Sequence, residues 1–301
     1  MLDSEDLEAL AQRVAERLAR REVIAVAGRE SPCQVSDGAR PNTACAETCQ
    51  GCDHQPSCPT YTLVQLGADR VAPLGPPRTS SEIARHIDHT LLKPDATRAE
   101  IEQLCDEARR YGFATVCLNS VNIAYAATLL SGSTTVPIAV VGFPLGAAAP
   151  RAKAYEAREA VRCGAREIDM VVNQGALKSN DYRLVLEDIQ SVVNAVKPVP
   201  VKVILETGAL SEDQKIASCA LAKAAGAAYV KTSTGFGPGG ATVEDIALMR
   251  RVVGSGMGVK ASGGIRTAAD AQRMFAAGAD RIGASASVAI VTGQNSGASK
   301  Y

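Results

Sequence analysis

Residues 227–237 read Ala227-Ala228-Tyr229-Val230-Lys231-Thr232-Ser233-Thr234-Gly235-Phe236-Gly237. The apolar lead-in is short, as in a strand buried on both faces. The hydroxyl residues and glycines after it suit a loop whose backbone N–H groups can approach an anion. A lysine stands between the two. An ammonium costs several kcal/mol to bury unless it is paired or neutralised. Lys231 is therefore either a strand-end side chain whose head reaches solvent or an amine kept neutral in a dry site, where it attacks carbonyls.

The same pattern of short apolar strand, loop and Ala-rich helix recurs on both sides of this stretch. Strands are expected at Ile83–Leu91, Ala114–Asn119, Pro137–Phe143, Glu167–Asn173, Val199–Glu206, Tyr229–Thr234, Gly258–Ser262 and Arg281–Ser285. Their starts lie roughly 20 to 35 residues apart, the length of a βα unit. Helical stretches fall between them, at Arg98–Tyr111, Ser120–Leu130, Ala152–Cys163, Asp181–Val196, Asp213–Ala225, Val243–Val253 and Ala268–Ala277. Several are followed by glycine, at Gly112, Gly164, Gly226 and Gly278, as helix ends often are. Strict alternation over residues 81–292 predicts an α/β fold, a (β/α)8 TIM barrel. A doubly wound sheet is the alternative, but the Gly-rich fingerprint after its first strand is absent.

Reactive groups of such barrels gather at the carboxyl ends of the strands. Asp169 lies in the fourth strand, Lys202 in the fifth, Lys231 in the sixth and Lys260 in the seventh. Alternation with period two can turn all four inward. Each alone could belong to a buried ion pair; together they suggest a site with shifted ionisation. Lys231 and Lys260 fall on neighbouring strands, about 5 Å apart at the backbone. Two ammonium groups so close repel, and repulsion from Lys260 is expected to leave Lys231 as the free amine. Asp169 is expected to shuttle protons through a bound water. The loops Gly235–Gly237, Gly263-Gly264 and Gly283–Ser285 offer N–H groups to a phosphate. Arg266 either adds charge there or is a solvated loop residue.

Composition agrees with this class. Of 301 residues 46% are hydrophobic but only 4% aromatic, with no Trp, so the core must be aliphatic. Lys plus Arg and Asp plus Glu are 32 each, which gives no basic field for nucleic acid or an acidic membrane. No apolar run reaches the roughly 18 residues of a membrane span. The first residues show no signal-peptide apolar segment, and a cytoplasmic protein is expected.

The first 80 residues follow other rules. Leu7, Leu10, Ala11, Val14 and Leu18 recur at helical spacing over residues 1–22, with Glu5 and Asp6 early and Arg17, Arg20 and Arg21 late. Such a helix docks on its own enzyme or subunit, or on another partner. In length, amphipathicity and attached linker it resembles the encapsulation peptides that carry enzymes into bacterial microcompartments. The resemblance implies shell proteins or other cargo enzymes as partners and a compartment lumen as location. In the linker region 23–80, Cys45, Cys49, Cys52 and Cys58 lie close together, with Cys33 and His54 nearby, among residues too polar to form a core. Thiolates at these spacings suit a zinc ion or an iron–sulfur cluster, which would supply the missing folding energy. The alternative is a linker with incidental thiols. Residues 293–301 read as a polar tail ending in Tyr301.

The segments Ile87-Asp88-His89-Thr90-Leu91-Leu92-Lys93-Pro94, Val116-Cys117-Leu118-Asn119, Val141-Gly142-Phe143-Pro144-Leu145-Gly146, Glu167-Ile168-Asp169-Met170-Val171, Val201-Lys202-Val203-Ile204-Leu205-Glu206-Thr207, Val230-Lys231-Thr232-Ser233-Thr234-Gly235 and Lys260-Ala261-Ser262-Gly263-Gly264-Ile265-Arg266 run in this order. In them the chain resembles the deoxyribose-phosphate aldolases. The resemblance implies a class I aldolase, without metal or cofactor in catalysis, that interconverts 2-deoxy-D-ribose 5-phosphate with glyceraldehyde 3-phosphate and acetaldehyde. It implies a Schiff base on Lys231, perturbed by Lys260 and assisted by Asp169. Gly235, Gly263, Gly264 and Ser285 match phosphate contacts; Asp88, Thr90, Cys117 and Lys202 line the matched pocket. Cys117 reads as a small buried residue rather than a catalytic one, and His86 and His89 as local hydrogen bonders rather than catalysts. A homodimer is the expected assembly. In some relatives a terminal tyrosine enters the site, which gives Tyr301 a proton-relay role beside the plain reading of an exposed chain end. Many relatives carry a second serine where Ala286 stands, so one phosphate contact is expected to be missing.

Overall fold

The computed structural model describes residues 80–293. The helix expected over 1–22, the cysteines Cys45, Cys49, Cys52 and Cys58, and Tyr301 lie outside the described residues.

The expected strands form β1 (Ile87–Leu91), β2 (Thr115–Asn119), β3 (Val136–Val141), β4 (Glu167–Val171), β5 (Val201–Ile204), β6 (Tyr229–Lys231), β7 (Gly258–Ser262) and β8 (Arg281–Ala284). Each pairs in parallel with the next, and β8 pairs with β1, so the barrel closes. Helices α1 (Ser80–Ala84), α2 (Arg98–Tyr111), α3 (Ile123–Leu129), α4 (Pro150–Arg162), α5 (Gln174–Lys178), α6 (Tyr182–Val196), α7 (Glu212–Ala224), α8 (Val243–Val253), α9 (Ala268–Ala276) and α10 (Ser287–Thr292) complete the alternation. Local signals set several helix starts. Thr97, Ser211 and Thr267 cap α2, α7 and α9 with reciprocal boxes to Glu100, Gln214 and Asp270. Gly112 ends α2 in the left-handed region at φ 69°.

Alternation sorts the strand side chains. One set (Val116, Leu118, Ile168, Met170, Val203, Val230, Val259, Ile282) joins helix residues such as Ile101, Ile189 and Ile246 in one continuous aliphatic core. Each of these side chains stabilises the fold by roughly 1.5–3 kcal/mol when fully buried. The alternate set faces the lumen. There Leu92, Cys117, Ile138 and Val140, with Phe143 against them, form a small separate apolar cluster. A cluster of charged side chains, Asp169, Lys202, Lys231 and Lys260 among them, also fills the lumen, where such barrels usually carry branched aliphatic residues. Glycines make room for it: a Cβ on Gly283 would stand 2.9 Å from Lys260 Cε, and one on Gly258 would run into the Tyr229 ring.

The structure corrects several boundaries. The first strand starts at Ile87, not Ile83, because Ser80–Ala84 is a helix with Ile83 and Ala84 on its buried side. Ile83, Ala84 and Ile87 stand at helical spacing, which an apolar run by itself does not distinguish from a strand. Ser80, expected in the linker, is the first helical residue, and Gly293, expected in the tail, caps α10. The β3, β4, β5 and β6 ladders stop two or three residues before the expected strand ends, and the surplus forms the start of the loops. Three short elements were not anticipated: α5, α10, and a 3-10 turn at Thr207–Ala209.

Candidate active site

Register brings the lumen charges together. Asp169 pairs across β4 and β5 with Lys202, and Lys231 pairs across β6 and β7 with Lys260. Asp169 accepts from three lysines: Lys202 Nζ lies 2.8 Å from Oδ1, while Lys260 and Lys231 lie 2.7 and 3.0 Å from Oδ2. Lys260 also pairs with Asp88 Oδ2 at 2.5 Å. On its other oxygen Asp88 accepts from Thr115 Oγ1 at 2.8 Å and from Arg281 Nε at 3.0 Å. Arg281 and Lys202 both reach Glu167, which closes the network. Lys202 further lies 5.8 Å from the Tyr229 ring centroid.

Burial and charge compete at every group. Burial favours a neutral Asp169, but its three lysines outweigh that and hold the carboxyl well below its usual range. Burial likewise opposes charge on Lys260 and Lys202. Asp169 and Asp88 hold Lys260 up, and those two carboxylates with Glu167 hold Lys202 up. Lys231 alone of these lysines is pushed down, first by burial and second by Lys260, against the pull of Asp169. Burial is the larger cause, and the expected repulsion from Lys260 adds to it. Asp169 touches Lys231 directly, Oδ2 accepting from Nζ at 3.0 Å.

The loops above the lysines are tied together by hydroxyl and backbone hydrogen bonds. Thr232 Oγ1 donates to Ser262 O at 2.9 Å and accepts from Ser262 N at 3.0 Å, while Ser262 Oγ donates to Ser233 O at 2.7 Å. Ala241 N donates to Gly263 O at 3.0 Å, and a Cβ on Gly240 would collide with that oxygen at 2.6 Å. Gly263 and Gly264 both have positive φ, 89° and 81°, a backbone that favours glycine. Gly235 leads the β6 loop at φ 88°, and Ser285 follows β8, half-buried. Glu206, buried and left-handed at φ 62°, accepts from Thr234 N at 3.3 Å and from its hydroxyl, whose oxygen in turn accepts from Phe236 N at 3.0 Å.

The sequence compared with known proteins gives the same picture. The DeoC/LacD family aldolase model matches residues 83–298. The chain belongs to the DeoC/LacD family of aldolases. A deoxyribose-phosphate aldolase of Thermoanaerobacter sp. is 57% identical over 212 residues, 69% of this chain and 95% of that one. The deoxyribose-phosphate aldolase of Macrococcus caseolyticus is 53% identical over 212 residues, 70% of this chain and 96% of that one. Among solved structures, the tetrameric deoxyribose phosphate aldolase of Aeropyrum pernix superposes with a TM-score of 0.67 at 34% identity, covering 76% of this chain and 95% of that one.

Within this DeoC/LacD barrel the expected residues fall into two groups. Lys231, Asp169, Lys260 and Lys202 converge in the lumen, with Cys117 at their edge, its thiol pushed up by burial. Asp88, expected to line the pocket, is buried like these, with Lys260, Arg281 and Thr115 on its oxygens. Thr90 donates to Asp88 O at 2.9 Å, also inward. Arg266 is exposed, the solvated alternative. His86 and His89 do bond locally, at 2.9 Å to Asp280 O and 2.8 Å to Glu107. Sequence reasoning passed over Glu167, Arg281, Thr115 and Glu206. Period two held the signal for the first: Glu167 stands two residues before Asp169 on one strand face. Among the described residues no helix is long and apolar enough to cross a membrane.

Proposed function

We propose that the protein is a class I aldolase that interconverts 2-deoxy-D-ribose 5-phosphate with glyceraldehyde 3-phosphate and acetaldehyde, with Lys231 as the imine-forming amine. One observation carries this reading: Lys231 is 2% exposed, lies at a strand end, and shares its single carboxylate oxygen with Lys260. An amine so placed gives up its proton more readily than an ordinary lysine and is a nucleophile towards an aldehyde. Lys231 Nζ adds to the sugar aldehyde carbon, and loss of water leaves a protonated imine. The C2–C3 bond then breaks as the C3 hydroxyl loses its proton. The electron pair is held as an enamine on Lys231. Protonation at C2 and hydrolysis release acetaldehyde and restore the amine. Asp169, kept ionised by its lysines, stabilises the iminium charge beside it. The names of the 53% and 57% identical relatives support the substrate, and the backbone N–H groups of the loops at Gly235, Gly263-Gly264 and Ser285 suit its phosphate. The lysine is itself the electron sink, so the chemistry calls for no metal or cofactor. Borohydride reduction in the presence of acetaldehyde, followed by peptide mapping, tests the reading. The adduct is expected on Lys231 and absent in Lys231→Ala; an adduct elsewhere rejects it.

Three additions rest on the sequence of the extensions and on the resemblance. Residues 1–22 are a docking helix for a microcompartment shell, supported by the apolar spacing from Leu7 to Leu18. A fluorescent protein carrying them should become punctate in cells that make shells; a diffuse signal rejects it. Cys45, Cys49, Cys52 and Cys58 hold zinc or an iron–sulfur cluster, supported by their density, and metal analysis of anaerobically purified protein decides. Tyr301 relays a proton in a homodimeric enzyme; removing it should slow proton exchange at the acetaldehyde methyl group, and light scattering reads the assembly.

A further inference from the structure

The lumen holds more positive than negative groups. Lys202, Lys231, Lys260 and Arg281 face three carboxylates, Asp88, Asp169 and Glu167. The pairing is uneven in a regular way. Arg281 touches Asp88 and Glu167, Lys260 touches Asp88 and Asp169, and Lys202 touches Asp169 and Glu167. Each of these three cations has two carboxylates. Lys231 has one, on an oxygen that Lys260 already occupies. Arg281 keeps its charge at any working pH. It therefore uses up carboxylate charge that would otherwise let a third lysine stay protonated.

We propose that Arg281 and Glu167, at the amino-terminal ends of β8 and β4, are positioning residues that set whether Lys231 carries a proton. They do so through the charge count of the lumen. This rests on the aldolase reading of Lys231 and deepens it. Neither residue touches Lys231 in the network, and both lie toward the opposite end of the strands from the loops, with side chains 12% and 16% exposed. Their influence passes through Asp88, Lys260, Lys202 and Asp169. The charged and titratable groups around Lys231 are Asp169 from β4, Lys260 from β7 and Cys117 from β2; β3 contributes only apolar Ile138 and Val140 to the lumen. Behind them stand Lys202 from β5 and Asp88 from β1, and the Tyr229 phenol lies against Lys202.

Charge count predicts opposite outcomes for two substitutions in the same tier, which a merely structural role does not. Arg281→Met leaves three carboxylates for three lysines, so Lys231 should hold its proton to higher pH. Glu167→Gln leaves a larger positive excess, so Lys231 should lose its proton at lower pH. The readout is the rate of cyanoborohydride trapping with acetaldehyde as a function of pH, followed by intact mass, beside the acid limb of kcat/KM. The midpoint should move up by about one pH unit in Arg281→Met and down by a similar amount in Glu167→Gln. Arg281→Lys, and the double variant Arg281→Met/Glu167→Gln, preserve the balance of charge and should stay near the parent midpoint. If Arg281→Met does not fold, Glu167→Gln against the double variant still decides. Shifts of one sign in both single variants, or a Glu167→Gln midpoint unchanged from the parent, overturn the proposal. An adduct missing from Lys231 in the parent protein instead overturns the aldolase reading itself.

Discussion

Two buried lysine–aspartate contacts in this barrel behave in opposite ways. Between α4 and α6, Lys153 meets Asp188 at 2.6 Å, with both side chains 0% exposed, and Lys153 also donates to Val171 O at 2.9 Å. In the lumen, Lys231 meets Asp169 at 3.0 Å. Burial lowers the proton affinity of both lysines. The carboxylates part company. Burial pushes Asp188 up, and its one lysine does not reverse that; Asp169 is buried too, yet three lysines pull it down. Lys153 is tied to one carboxylate and one carbonyl and holds the end of β4 against the helix layer. Lys231 lies beneath glycine-rich loops with only a shared acceptor. A desolvated lysine beside an aspartate is thus no sufficient sign of chemistry; the surplus of cations and the position at a strand end make the difference.

The comparison can be broken most directly at the two lysine sites. Lys231→Ala should lower aldol cleavage by roughly 10⁴-fold or more, the scale of losing a covalent nucleophile. Its denaturant midpoint should hold or rise, since a costly buried amine is removed. Asp188→Ala should do the reverse. An unpaired buried Lys153 costs about 3 kcal/mol in urea unfolding, while imine trapping per folded molecule stays within a few-fold. A folded Asp188→Ala protein that fails to trap acetaldehyde would erase the distinction.

Acid unfolding sharpens the contrast between the carboxylates. Asp169 titrates below its ordinary value of 3.8 in the folded chain, so its contribution is complete above that pH and is lost as pH falls through the folded value. Asp188 titrates above 3.8, so the folded chain binds the extra proton and gains stability on acidification through that window. Replacing Asp188 with Asn should therefore make the acid loss of stability steeper, as read from urea midpoints between pH 6 and 3 in steps of roughly half a unit. A shallower loss would reverse the assignment. The smallest effect is expected at the phosphate end. Ala286→Ser adds a hydroxyl at the N-cap of α10, and KM for the phosphorylated sugar should fall a few-fold, the worth of about one hydrogen bond, with kcat unchanged.

Much of this was readable without coordinates. Alternation along a strand and the βα repeat are local properties, so the eight strands, the outward aliphatic set and the inward Asp169, Lys202, Lys231 and Lys260 could be read from the chain. The start of β1 could not, because Ile83, Ala84 and Ile87 fit a helix as well as a strand, and packing chose the helix. Glu206 was hidden for another reason. A carboxylate after an apolar run resembles any loop residue until the β6 loop folds down onto it.

What the chain order determined by itself was the barrel and the side of each strand that carries charge. What tertiary structure decided was the partnership among those charges. Arg281 and Asp88 are 193 residues apart, and Lys260 and Asp169 are 91 apart. Only closure of the barrel brings such groups within hydrogen-bonding distance. Ionisation in a desolvated lumen depends on that full set of neighbours, and the order of residues along one strand does not contain it.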